Sequence, residues 1–152
     1  MSSPRAASKI TYANWTDRAK YEEMVALFAP IIGVPFKHFG RDERGIDCGG
    51  IVIWGSKKMY NVDIASPEYE YLWYEQQHPN VLLKVFSDVW TRVDVVEPGD
   101  TLFFDYSGNG PSHLGVYLGW ARFLHAADER SVVVESLHRF GRYVCFAGRI
   151  RR

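Results

Sequence analysis

Cys48, His113 and His125 are the residues of this chain whose types suit bond-making chemistry. A thiol attacks as its thiolate. It needs an imidazole to take the proton and a third polar group to orient that imidazole. Cys48 stands in "GIDCGGIV", residues 45–52, between an acid and a glycine pair, with an apolar run behind it. If that run is a helix, Cys48 opens it and Asp47 caps it. The backbone N–H groups and the dipole at a helix start favour negative charge on sulfur and lower a thiol pKa. Gly49 and Gly50 would let a substrate approach the backbone closely.

Two of the five histidines fall on strand-like runs that read as a hairpin, "HLGVYLG" from His113 and "ARFLHA" up to His125. Side chains alternate faces along a strand, so parity decides whether both rings reach one site. With an even number of loop residues, partner numbers add to an odd total and the two rings point apart. With an odd loop around Gly119-Trp120-Ala121, or with a bulge, the total is even. His125 then pairs with Gly115, and the two rings share a face as diagonal neighbours. Three-residue hairpin loops containing glycine are common.

Other uses of these residues compete. Lone cysteines are often buried structural residues. Cys48, His113, His125 and Cys145 contain the donor types of a zinc site, but no CxxC or HxxxH spacing accompanies them. His38, His78, His138 and Cys145 read as structural; His38 lies on the loop before the Cys48 run and is a candidate cleft residue. Cys145 in "YVCFAG" reads as buried strand filling. Arg149, Arg151 and Arg152 read as a solvated tail or a contact to an assembly partner.

The elements that must position these residues follow from periodicity. Residues 1–10 are small, polar and basic and read as a flexible tail; residues 11–152 read as one domain. Tyr21, Met24, Val25 and Phe28 share one face of a helix that Pro30 and Gly33 bring to an end. Residues 37–47 form a charged loop. From Cys48 to Tyr60 a helix is expected, with Cys48, Val52, Gly55 and Met59 on one face. Residues 61–96 are the least legible. A helix is expected from Ser66, with Pro67 at its first helical position and Glu68 in the first turn, and Tyr69, Tyr71, Trp73 and Tyr74 belong to the core or to a binding surface. After Pro98-Gly99 come five β-rich runs, "DTLFFDY", "HLGVYLG", "ARFLHAA", "SVVVESL" and "YVCFAGRI". Helices first and an antiparallel sheet of about five strands second make an α+β domain.

Bulk properties agree with a single soluble domain. The chain has 152 residues, 47% hydrophobic and 24% charged, and its formal net charge is zero. That balance gives no electrostatic reason to expect nucleic acid. No run approaches the roughly 18 apolar residues of a membrane span. The N-terminus has no apolar segment of the secretory kind, so synthesis in the cytoplasm without a signal peptide is expected. A cysteine pair so far apart makes no disulfide framework.

In order along the chain, "VPFKHFGRDERGIDCGGIV", "EPGDTLFFDY" and "HLGVYLGWARFLHA" resemble the NlpC-type cell-wall endopeptidases. The pattern is a Gly-x-Pro-Tyr turn, a Gly-x-Asp-Cys helix start, a Pro-Gly-Asp strand start, a His-hydrophobic-Gly strand and Phe-hydrophobic-His-Ala. The blocks span roughly residues 15–150. The resemblance implies a papain-like fold, a catalytic helix packed on the sheet, and a cysteine peptidase that cuts peptidoglycan stem peptides without a metal or organic cofactor. It implies Cys48 as nucleophile, His113 as general base and His125 as the group orienting it, and the bond between D-glutamate and a diamino acid as the target.

"PFKH", "HLG", "FLHA" and "VVVESL" are similar to the short wall peptidases encoded with phage tail genes, which implies delivery to the wall on a virion or tail-like particle and tail-tip proteins as partners. Two positions depart from the family pattern. Phe36 stands where the family has a tyrosine that helps to bind the oxyanion, and Gly49 stands where many relatives have serine. Asp47 is retained, as a helix cap or as a partner for a substrate ammonium. Phe36 keeps two other possibilities open: a structural tail-tip component with little hydrolysis, and a Cys-His amidase or acyltransferase.

Overall fold

The computed structural model describes residues 9–65, 89–127 and 130–152 of the chain. The expected Ser66 helix, the aromatic cluster at 69–74 and His78 lie outside the described residues, as do the first eight residues of the expected tail. Ile10, expected in that tail, packs against the core beside Tyr12.

Strand β1 (Thr11–Tyr12) leads to helix α1 (Arg18–Phe28), whose N-cap Asp17 accepts from the Lys20 N–H. Met24 and Phe28 are buried, with Tyr21 and Val25 at the margin of the same cluster. A short hairpin, β2 (Arg41–Asp42) and β3 (Gly45–Ile46), delivers the chain to helix α2 (Cys48–Tyr60). Asn61 ends α2 in the left-handed conformation, and its N–H closes on the Lys57 and Ser56 carbonyls. Gly55 lets Phe28 of α1 pack flush, since a Cβ there would lie 2.9 Å from the Phe28 ring.

Six further strands build the sheet: β4 (Trp90–Val93), then, after the two-residue β5 (Val95–Val96) that pairs with β1, β6 (Thr101–Phe104), β7 (His113–Gly119), β8 (Arg122–Ala126), β9 (Val132–Ser136) and β10 (Val144–Ile150). A four-residue helix α3 (Leu137–Phe140) and a 3-10 turn at Gly141–Tyr143 join β9 to β10. The order across the sheet is β4-β10-β6-β7-β8-β9, every pairing antiparallel. The five expected runs are the five strands β6 to β10. The sixth, β4, comes from the stretch with no readable pattern: "WTRV" alternates poorly because Trp90 is buried while Thr91 and Arg92 face water.

One face of the sheet carries Val116, Leu118, Leu124, Ala126 and Val132, which pack with Ile51 of α2 and with α1. The other carries Leu102, Phe104, Tyr117, Phe123 and Ala147. The molecule is α+β, with a helix that begins at Cys48 laid across an antiparallel sheet.

Candidate active site

The β7–β8 hairpin settles the parity question. Val116 pairs with Leu124 and Tyr117 with Phe123, an even total that puts His125 opposite Gly115. The loop itself has two residues, Trp120 and Ala121, because Gly119 pairs with Arg122. An irregularity between Tyr117 and Gly119 supplies the odd residue, so a bulge and not a three-residue loop aligns the histidines. Trp120 and Ala121 both have positive φ, 53° and 55°, as a primed two-residue turn requires. The tip is held by its neighbours. Trp120 N–H donates to the Asn14 carbonyl, the Leu137 N–H donates to the Ala121 carbonyl, and the Arg122 guanidinium lies 3.6 Å from the Trp120 ring centroid.

His113 and His125 therefore meet: Nε2 of His113 is 2.7 Å from Nδ1 of His125. The far nitrogen of His125, Nε2, is 3.1 Å from Oε2 of Glu135 on β9. His125 is 6% exposed, set among Phe123 and Phe140, and His113 sits beside Phe104 and Tyr106. Glu135 was not among the residues singled out from sequence. Its signal was there: it is the one charged residue in "SVVVESL", and the five-residue connection between Ala126 and Val132 puts it on the His125 face.

Cys48 is half-buried at the first position of α2, packed against Leu114. Burial and then the Asp47 charge push its thiol up to about 12, while the Leu114 and Gly49 backbone N–H groups pull the other way. Leu114 directly follows His113 on β7, so the Leu114 backbone N–H beside Cys48 ties the start of α2 to the strand that carries His113. Burial, then the neighbouring His125, hold His113 well below the usual imidazole range. His125 is also lowered, by burial, against the opposing pull of Glu135. At neutral pH the resting groups are a neutral thiol and neutral imidazoles. The shift runs opposite to the expected helix-lowered thiol: desolvation and the adjacent carboxylate outweigh the backbone N–H groups and Arg41.

Asp47 is committed to the protein itself. One oxygen accepts from the Gly50 N–H at 2.8 Å and pairs with the Arg41 guanidinium at 2.7 Å; the other accepts from the Phe39 N–H at 3.0 Å. The carboxylate is a buried cap that ties the preceding loop to α2. The glycines also differ from expectation. Gly49 and Gly50 are buried, and a Cβ on Gly50 would lie 2.3 Å from the Gly40 carbonyl oxygen. The missing side chain at 50 makes room for the protein's own loop, not for a substrate. Phe36 packs at the edge of the α1–α2 cluster, and its N–H donates to the Arg130 carbonyl.

The remaining candidates lie elsewhere. His38 packs against Phe39, ring centroids 4.3 Å apart, and His138 lies against Trp15. Cys145 is half-buried on β10, its thiol donating to the Phe103 carbonyl. Arg149 is not a solvated tail residue: it pairs with Asp100 and Glu97 and bridges β10 to the turn before β6. Among the described residues, no three His, Cys, Asp or Glu side chains converge as a metal site, and no helix is long and apolar enough to cross a membrane.

Comparison with known proteins agrees with this architecture. The chain is 28% identical over 108 residues to the "Probable endopeptidase NlpC" of Escherichia coli (strain K12), covering 69% of this chain and 60% of that protein. It is 27% identical over 111 residues to the "Probable peptidoglycan endopeptidase LytE" of Bacillus subtilis (strain 168), covering 71% of this chain and 27% of that one. The chain thus spans less than two thirds of the length of either relative. The NlpC/p60 domain of peptidoglycan hydrolase SagA superposes with a TM-score of 0.57 at 25% identity, covering 85% of this chain and 97% of that domain. NlpC2 from Trichomonas vaginalis shares the fold with a TM-score of 0.62 at 17% identity. The model of the NlpC/P60 family matches residues 33–145, about three quarters of the sequence, and the chain belongs to that family.

Proposed function

We propose that this protein is a cysteine endopeptidase that hydrolyses an amide bond in peptidoglycan stem peptides. The observation that supports the proposal is the link between the start of α2 and the strand of His113: Cys48 lies against the Leu114 N–H, and Leu114 follows a His113 that is hydrogen-bonded to His125. Membership of the NlpC/P60 family and the names of the relatives support the substrate class.

With both groups neutral at rest, thiol deprotonation accompanies attack. His113 takes the Cys48 proton as sulfur adds to the substrate carbonyl carbon. The oxyanion forms at the start of α2, where backbone N–H groups and the helix dipole favour negative charge. His113 returns the proton to the leaving nitrogen, the C–N bond breaks, and a thioester remains on Cys48. Water then attacks the thioester as His113 takes one of its protons; the acid product leaves and the thiol is regenerated. His125 keeps the His113 ring in place throughout.

The finer reading is the bond between D-glutamate and a diamino acid, acting from a phage-type tail tip. Its support is the resemblance of the chain to the wall endopeptidases and of "PFKH", "HLG", "FLHA" and "VVVESL" to the phage-tail subgroup. A second reading, the same fold with weak or no hydrolysis, is favoured by Phe36, which lacks a hydroxyl to assist the oxyanion. Digestion of purified peptidoglycan by the wild type and by Cys48→Ala separates them. Fragments ending at D-glutamate, released only by the wild type, are expected. No release by folded wild-type protein sinks the peptidase.

A further inference from the structure

Glu135 lies beyond the three residues to which the peptidase chemistry has been assigned, yet it ends the line of polar contacts that runs from His113 through His125. We propose that Glu135 is a positioning residue that fixes the tautomers of both histidines, leaving Nδ1 as the basic nitrogen of His113. The nature of the nucleophile rests on the peptidase reading above; the tautomers do not.

Donor counting gives the assignment. An ionised carboxylate offers only acceptors, so the His125 nitrogen 3.1 Å from Glu135, Nε2, must carry a hydrogen. A neutral imidazole has one N–H, so Nδ1 of His125 is a lone pair. That lone pair lies 2.7 Å from Nε2 of His113, which must then be the donor. His113 is left with its lone pair on Nδ1. The reverse order would set the His125 Nε2 lone pair against the carboxylate. Doubly protonating His125 would force Nε2 of His113 to accept and would place its hydrogen on Nδ1, abolishing the base.

The placement of Glu135 suits this role. It sits on the edge strand β9, its side chain 22% exposed, so the carboxylate keeps contact with water while His125 is enclosed. The titratable and charged groups facing His125 are His113 from β7, Glu135 from β9 and Arg130 from the β8–β9 connection; His125 and Tyr106 face His113. When the thiol proton reaches Nδ1, the His113 cation donates to His125, which donates to Glu135. One proton moves, from sulfur to nitrogen, and the Glu135 charge stabilises the cation through the intervening ring.

The test is long-range 15N–1H correlation NMR of the histidine rings in the full-length wild type, Glu135→Gln and Glu135→Leu at neutral pH, with turnover measured beside it. Both wild-type rings are expected as the Nε2–H tautomer. The Gln variant, whose amide oxygen still accepts, should keep that pattern and lose kcat by about tenfold. The Leu variant should populate Nδ1–H forms and lose kcat by about 10²-fold at unchanged KM, the lower end of what a positioned base contributes. A wild-type His113 carrying its hydrogen on Nδ1, or a doubly protonated His125, overturns the proposal. So does a Leu variant with unaltered tautomers. The spectra need no substrate. Correct tautomers in a protein that cleaves no peptidoglycan would defeat the peptidase reading and leave the relay standing.

Discussion

Nε2 of His113 stands 2.7 Å from Nδ1 of His125, and a bulge at the far end of the hairpin, between Tyr117 and Gly119, puts it there. A one-residue change in register would send one ring to the opposite face. If His113 is the base, this contact is what would orient it. His125→Ala should lower kcat by about 10²–10⁴-fold with KM little changed, whereas His125→Asn, which retains an acceptor for the His113 N–H, should lose less. Steady-state turnover of a stem peptide by the two variants checks the ordering; equal losses would contradict an orienting role.

The pH dependence follows from burial. His113 is held well below the usual imidazole range by desolvation and by the adjacent His125, so it stays neutral as pH falls through 6.5. The acid limb of kcat/KM should therefore lie clearly below that value. Stability carries the matching sign. Below about 6.5 the unfolded chain protonates these histidines and the folded chain does not. Folding free energy should then decline with acidification until the folded pKa is reached. Denaturant titrations at several pH values, with His113→Gln as reference, measure it; a slope that this substitution leaves unchanged argues against it.

The thiol gives an independent readout. With Cys48 pushed up to about 12, alkylation by iodoacetamide at pH 7.5 should be slow and should climb with pH. Cys145, pushed up to about 11, should be slow as well, so labelling must be assigned by peptide mass. The Asp47 charge is the second cause of the Cys48 shift, and Asp47→Asn should speed Cys48 labelling. The same substitution weakens the 2.7 Å pair with Arg41 and should cost about 1–3 kcal/mol of stability. Labelling no faster than wild type would show that the carboxylate does not hold the thiol up.

Much of this site was legible because strand parity and helix starts are local rules. Cys48, His113 and His125 fall at element ends that periodicity and turn chemistry mark, and the parity condition stated for the hairpin is met by its bulge alternative. What was not legible depends on contacts distant in sequence. The thiol pKa turns on burial under β7. The commitment of Asp47 turns on Arg41 folding back over the helix start. The need for glycine at 50 turns on the Gly40 carbonyl. Strand β4 was hidden because an edge strand with one buried residue, Trp90, whose indole N–H donates to Thr101, has little pattern to read.

The hairpin tip offers a test of how firmly the register is held. Ala121 adopts φ 55° with a Cβ that an L-residue accommodates there only at a cost of roughly 1 kcal/mol, and glycine would remove that cost. Ala121 is also buried, so glycine gives up a methyl's worth of packing, about 0.8 kcal/mol. The two nearly cancel, and Ala121→Gly should change stability by less than about 0.5 kcal/mol while preserving the His113–His125 contact and turnover. Trp120→Gly relieves the same backbone but removes the ring between Tyr21, Arg18 and Arg122. It should cost about 1–3 kcal/mol, within the range for losing a partly buried aromatic and its cation–π contacts. Chemical denaturation of both variants measures the difference. A Trp120→Gly protein as stable as the wild type would mean that the turn backbone, not the ring packed on it, holds the register that brings the histidines together.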